Sequence, residues 1–228
     1  MTEDAATAKK KDQFPASHMN MKRTIFIDFD GTITRVDTCN AMLKAFASDG
    51  WQEINEQWER GELATQACAR QLFQLFKTDM DGIKRLMRNI EIDPSFKDFL
   101  NLCRRKNYQV YVLSDGYDIC IETVFENNGI KLPYYANKLI YGQAFQIQSP
   151  NINLSCGNCG TCKTRLMAEL TEPGSQVVYI GDGYSDMCPV KNADLVFAKG
   201  TLYQFCLEQG ISAIRYHTFG DIRSYLSA

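Results

Sequence analysis

Apolar residues follow two rhythms along this chain. Short continuous runs close on small polar residues: Ile25–Ile27 in "TIFIDFDGT", "VYVL" before "SDG" at 114–116, and "VVYI" before "GDG" at 181–183. Runs of this length bounded by Gly and Asp predict strands buried on both faces. Between them apolar residues recur three and four apart, in "AMLKAF", "ACARQLFQLF", "PSFKDFLNLC", "YDICIETVFENN" and "KTRLMAEL", which predicts helices. Gly129 closes one of these as a C-terminal cap, and Lys163 opens another. Alternation around Gly142 predicts a hairpin over 134–154. "DLVFAKG" and "SAIRYH" read as further short strands, with "LYQFCLEQG" a helix between them.

Strands alternating with helices predict an α/β fold with a Rossmann-like parallel sheet, covered on both faces. Right-handed crossovers place the strand C-termini on one edge, where ligands bind in such sheets. Residues 37–90 read as a small helical cap inserted after the first strand, with 21–36 and 91–228 forming the core. Residues 1–20 are polar and lack periodicity, which reads as a disordered tail; its "SHM" resembles a cloning junction.

Composition narrows the function classes. A chain of 228 residues with net charge −2 carries no electrostatic footprint for nucleic acid or an anionic membrane. No apolar run approaches a membrane span, and no leader-like segment opens the sequence, so a cytoplasmic location is the expectation. Six of the nine cysteines lie singly in or beside predicted helices, as small hydrophobes. Cys156, Cys159 and Cys162 form a cluster in "SCGNCGTCK", at three-residue steps. It is read as a structural Zn²⁺ site lacking a fourth ligand, as reduced thiols in a loop, or as a labile disulfide.

The chemistry gathers at the strand tips. Asp is costly to bury as an ion, yet Asp28 and Asp30 follow an apolar run; they call for a cation nearby, unless the run simply ends in an Asp-Gly turn. "LSDG" and "GDGYSD" end two further strands on the same edge, which favours a site.

These segments resemble the haloacid dehalogenase superfamily of phosphatases, with "DFDGT", "LSDG", Lys163 and "GDGYSD" in the family's order from Ile25 onwards. The resemblance implies a phosphomonoesterase in which Asp28 attacks phosphorus and forms an aspartyl-phosphate, while Asp30 protonates the leaving oxygen and then activates water. Mg²⁺ would be held by Asp28, the Asp30 carbonyl, Asp182 and Asp186. The phosphate would be bound by Ser114, the following Asp115 and Gly116, and Lys163. The helical insertion resembles the cap of the phosphoserine phosphatase subclass, where Asp37 takes the place of a substrate-reading Glu; it reads equally as a helix N-cap. Trp51 and Trp58 are expected in the insertion's own core. Cysteines just before the Lys resemble a branch that includes the methionine-salvage enzyme for 2-hydroxy-3-keto-5-methylthiopentenyl-1-phosphate; phosphoethanolamine/phosphocholine phosphatases carry a related stretch. The expected partner is therefore a small phosphorylated metabolite. Phosphotransfer by the same site, and a thiol-metal module with a relic acidic site, are the competing readings.

Overall fold

The computed structural model describes residues 22–155 and 159–227; the expected tail at 1–20 and Cys156 lie outside them. Seven strands form one sheet in the order β4-β3-β2-β1-β5-β6-β7. In chain order these are β1 (Arg23–Ile27), β2 (Gln109–Tyr117), β3 (Tyr134–Tyr141), β4 (Phe145–Gln148), β5 (Gln176–Gly181), β6 (Leu195–Ala198) and β7 (Ile214–Arg215). All neighbours run parallel except β3 and β4, the hairpin expected around Gly142.

β1 lies at the centre because its side chains are apolar on both faces. Ile25 pairs with Val110 and Val178, and Ile27 with Val112 and Ile180. Ile25 and Ile27 enter the larger core, whereas Phe26 enters a second core on the opposite face with Leu113, Tyr179 and Val196. Alternation of period two assigns neighbouring residues to opposite layers.

Nine helices are present among the described residues. Four lie between β1 and β2 before the sheet-covering α5 (Phe96–Arg105): α1 (Thr38–Phe46), α2 (Trp51–Glu59), α3 (Thr65–Gln74) and α4 (Met80–Met87). Leu43, Cys68 and Leu72 build a small cluster in this segment, with Trp51, Ile54 and Trp58 packed on it. Ile83 and Met87 of α4, together with Met42 and Phe73, instead join the main core. The chain leaves and returns side by side: Arg35 N donates to Glu91 O at 2.9 Å and Asp93 N to Ile33 O at 2.9 Å.

The remaining helices are α6 (Asp118–Asn128), α7 (Lys163–Leu170), α8 (Gly200–Glu208) and α9 (Phe219–Ser227). The periodicity read from the sequence does not extend to α9, whose place is decided by packing. Phe219 meets Phe96 at 4.7 Å and Phe99 at 5.0 Å between ring centroids. The buried Asp93 accepts from Ser95 N at 2.8 Å and from Phe219 N at 3.1 Å, so one carboxylate joins the starts of α5 and α9. Phe219→Ala should cost about 3–5 kcal/mol of unfolding free energy, read from denaturant midpoints. A loss below about 1 kcal/mol would show that α9 is dispensable to the core.

Candidate active site

β1 ends in a sharp structure that delivers its carboxylates. Asp28 N continues the ladder by donating to Ile180 O at 2.9 Å. The chain then wraps a single wide turn over Phe29–Ile33, with Asp30 extended and Gly31 at φ +72°. A Cβ on Gly31 would stand 2.5 Å from Asp182 Oδ2, and one on Gly116 the same distance from Asp30 Oδ2. Glycine is required at both places because carboxylates approach the backbone that closely.

Asp28, Asp182 and Asp186 present oxygens that all lie within 4.8 Å of one another, and among the described residues this is the one grouping suited to a metal. Lys163 Nζ donates to Asp28 Oδ1, to Asp186 Oδ1 at 2.6 Å and to Ser185 Oγ at 2.9 Å. Asp186 also accepts from Tyr179 OH at 2.6 Å and from the amides of Asp182 and Gly183 at 3.0 and 3.1 Å. Thr32 Oγ1 donates to Asp182 Oδ1 at 2.7 Å.

Burial dominates the electrostatics. It pushes the Asp28 carboxyl well above its ordinary range, helped by the neighbouring Asp186 and opposed by Lys163. Asp182 is pushed to about 6 by burial and then by Asp186. Burial would lower Lys163, but Asp186 and Asp28 more than offset it and hold the ammonium charged. Three crowded carboxylates, with burial raising the proton affinity of Asp28 and Asp182, form a hard-oxygen donor set short of positive charge. That set fits Mg²⁺.

Asp30 sits to one side. Burial, and after it Asp37, raises its carboxyl to about 7, against hydrogen bonds from Thr38 and Ser114. Ser114 Oγ lies 3.2 Å from Asp30 Oδ2 and accepts from Gly116 N at 2.9 Å, so that amide is engaged within its own loop. The Asp115 carboxylate accepts from Thr161 N at 2.8 Å, two residues before Lys163. Asn137 donates to Asp115 O at 2.7 Å and braces the same junction.

Beyond these residues opens a cavity of about 310 Å³. Its floor is Asp28, Asp30, Asp115 and Asp182; its far wall, from the helical segment, is mostly apolar, with Met42, Leu43, Leu72, Phe73 and Phe76, and carries the polar Asn40, Asn55 and Thr65. No Lys or Arg is among the described residues lining it. Asp37 lines it too, and its side chain caps α1 by accepting from Asn40 N at 2.8 Å. Trp58 packs on the helical cluster, as expected, but also reaches the cavity, where its ring meets Tyr184 edge-on at 6.4 Å.

Residues 23–217 match the family described as Putative Phosphatase. The chain belongs to this family. It is an enzyme, a phosphatase, and its fold is that of the haloacid dehalogenase hydrolases. A Bacillus pumilus protein named 2-hydroxy-3-keto-5-methylthiopentenyl-1-phosphate phosphatase is 32% identical over 208 residues, covering 89% of this chain and 90% of its own length. A Bacillus cereus protein of the same name is 31% identical over 211 residues, covering 90% and 96%. Among solved structures, a phosphoserine phosphatase from T. onnurineus shares the fold at TM-score 0.67 and 17% identity, covering 95% of this chain and 98% of its own. A phosphoserine phosphatase described as a phospho-aspartyl intermediate analogue superposes at TM-score 0.68 and 20% identity, covering 90% and 99%.

The phosphatase thus brings Asp28, Asp30, Ser114, Lys163, Asp182 and Asp186 together as the sequence predicts. Thr32, Thr38, Tyr179, Ser185 and Asn137 are partners that sequence reasoning missed. Thr32 and Ser185 lie inside the quoted signatures, which is a usable signal; the other three carry none, because only packing turns them inward. Cys159 and Cys162 are half-buried, and Cys162 N donates to Asn151 O at 2.9 Å. Cys156 lies outside the described residues, and of the three readings of the cluster the zinc one finds no support in the phosphatase. No helix among the described residues is long and apolar enough to cross a membrane.

Proposed function

We propose that this phosphatase is a Mg²⁺-dependent phosphomonoesterase that works through an aspartyl-phosphate on Asp28 and takes a small ester with an uncharged leaving group. One observation carries the reading: Asp28, Asp30 and Asp182 at the tips of β1 and β5, with Lys163 of α7 bridging Asp28 and Asp186 beneath them, border a cavity whose opposite wall is mostly apolar.

Asp28, Asp182, Asp186 and the Asp30 carbonyl would hold the ion, whose charge offsets repulsion between the Asp28 carboxylate and the phosphoryl oxygens. An Asp28 oxygen attacks phosphorus as the bond from phosphorus to the ester oxygen breaks. Asp30, protonated near neutral pH, gives its proton to that oxygen and the alcohol leaves. Asp30, now a carboxylate, takes a proton from water. The water oxygen attacks phosphorus, releasing inorganic phosphate and the Asp28 carboxylate. Lys163 stabilises negative charge on Asp28 throughout, and Ser114 offers a hydroxyl to the phosphoryl group. Helices α1–α3 act as the cap that excludes water and reads the leaving group.

The cavity wall narrows the substrate. The carboxylate of phosphoserine would meet a wall of Met42, Leu72 and Phe73 with the neutral Asn40, Asn55 and Thr65 but no cation among the described lining residues, so its charge would be uncompensated there. The methylthiopentenyl group named for the relatives carries no charge, and Cys39, Met42 and Cys68 offer polarisable sulfur to it. A phosphate-release assay on the methylthiopentenyl phosphate, phosphocholine, phosphoethanolamine and phosphoserine tests this. We expect kcat/KM for the first to exceed that for phosphoserine by about 100-fold or more, with turnover lost on chelation and restored by Mg²⁺. Preference for phosphoserine would sink the substrate reading, and turnover surviving chelation would sink the metal reading.

A further inference from the structure

We infer that Thr38, the first residue of the helical insertion's α1, is a positioning residue that fixes the Asp30 carboxyl for proton transfer. The inference rests on the reading of Asp30 as proton donor and adds the device that orients it. Thr38 is fully buried and addresses a single oxygen of Asp30 twice: its backbone N donates to Oδ1 at 2.9 Å, and its Oγ1 donates to the same atom. The other oxygen, Oδ2, lies 3.2 Å from Ser114 Oγ and faces the backbone of Gly116, where no Cβ intervenes.

This division has a chemical consequence. With Oδ1 saturated by two donors, the transferable proton belongs on Oδ2, the oxygen beside the "LSDG" loop and the cavity floor. With only the Thr38 amide on Oδ1 and the longer contact of Ser114 Oγ on Oδ2 at 3.2 Å, the carboxyl keeps some freedom about its terminal torsion, which has broad wells. The second donor from Thr38 removes that freedom. The acid stands on the β1 turn, but its orientation is set from α1, so seating the helical segment and presenting the proton are one structural event. Asp37 caps α1 through Asn40 N and keeps the Thr38 amide pointing outward from the helix start.

The step concerned is cleavage of the ester bond: the phosphorus–oxygen bond breaks as Asp28 bonds to phosphorus, and the proton passes from Asp30 to the departing oxygen. An alkoxide leaving group needs that proton, whereas p-nitrophenolate departs without it. The experiment compares kcat/KM for butyl phosphate and p-nitrophenyl phosphate, which reports events up to that cleavage, in wild type, Thr38→Val, Thr38→Ser and Asp30→Ala. Thermal unfolding checks each fold, and Thr38→Val keeps shape and backbone amide. We expect Thr38→Val to lose about 10- to 100-fold on butyl phosphate with little change on p-nitrophenyl phosphate, and Thr38→Ser to restore the alkyl ester. Parallel losses on both esters, or none on either, would overturn the proposal while Asp30→Ala still discriminates between them. If Asp30→Ala itself loses equally on both, the reading of Asp30 as acid falls, and this proposal falls with it.

Discussion

Asp28→Asn should lower phosphate release by about 10⁴-fold or more and leave the protein folded. The amide has almost the carboxylate's shape but lacks a nucleophilic anion, so neither bond to phosphorus can form as before. Stability points the other way. Asp28 is only 4% exposed, and burial and the neighbouring Asp186 both oppose its charge. A neutral isostere relieves that repulsion, while Lys163 keeps Asp186 as its partner. The metal-free variant should therefore unfold at or above the wild-type temperature, a pattern typical of residues held in place for function. Acid quenching during turnover should trap a phosphoryl group on the peptide containing Asp28 in wild type and none in the variant. Trapping it on a different residue would reject Asp28 as nucleophile.

Lys163→Met should damage both activity and stability. The Lys163 side chain is 2% exposed and bridges Asp28 and Asp186, whose side chains are 5% and 0% exposed. Removing one member of a buried ion pair leaves the others uncompensated, at about 3–5 kcal/mol. Asp28 can take up a proton, since burial has already raised its affinity, so the lower end of that range is expected. Mg²⁺ supplies replacement charge to the same carboxylates and should recover part of the loss. Activity should fall by about 10²–10³-fold, the usual effect of removing one preorganised charge from a developing anion. Denaturant midpoints with and without Mg²⁺ measure the first claim, and phosphate release the second. Equal midpoints for wild type and variant in chelator would show that the bridge contributes nothing to stability.

The strands bearing the site were legible because each advertises itself twice, by an apolar run and by the polar tip that ends it. "TIFID", "VYVLSDG" and "VVYIGDG" became β1, β2 and β5, adjacent at the centre of the sheet. Helix starts were legible where a side chain marks them: Asp37 caps α1, Lys163 opens α7 and Gly129 ends α6 at φ +65°. α9 was not, since "FGDIRSYLS" gains its helical reason from Phe219 lying on Phe96 and Phe99 across more than a hundred residues. Zinc at the cysteines was an inference from spacing alone, and spacing does not supply the fourth ligand.

By itself, the order of residues determined the central sheet, the positions of the four acidic side chains and the lysine that bridges two of them. Local rules suffice there, because strand alternation and glycine at crowded turns act over a few residues. Tertiary structure decided everything that depends on surfaces meeting: the apolar wall across from the carboxylates, Asn137 bracing the loop before Lys163, and Thr38 turned onto Asp30. Those contacts join segments packed by the burial of Met42, Phe73 and their neighbours. Hydrophobic burial is non-directional, so no local pattern in the chain announces which polar side chain it will carry inward.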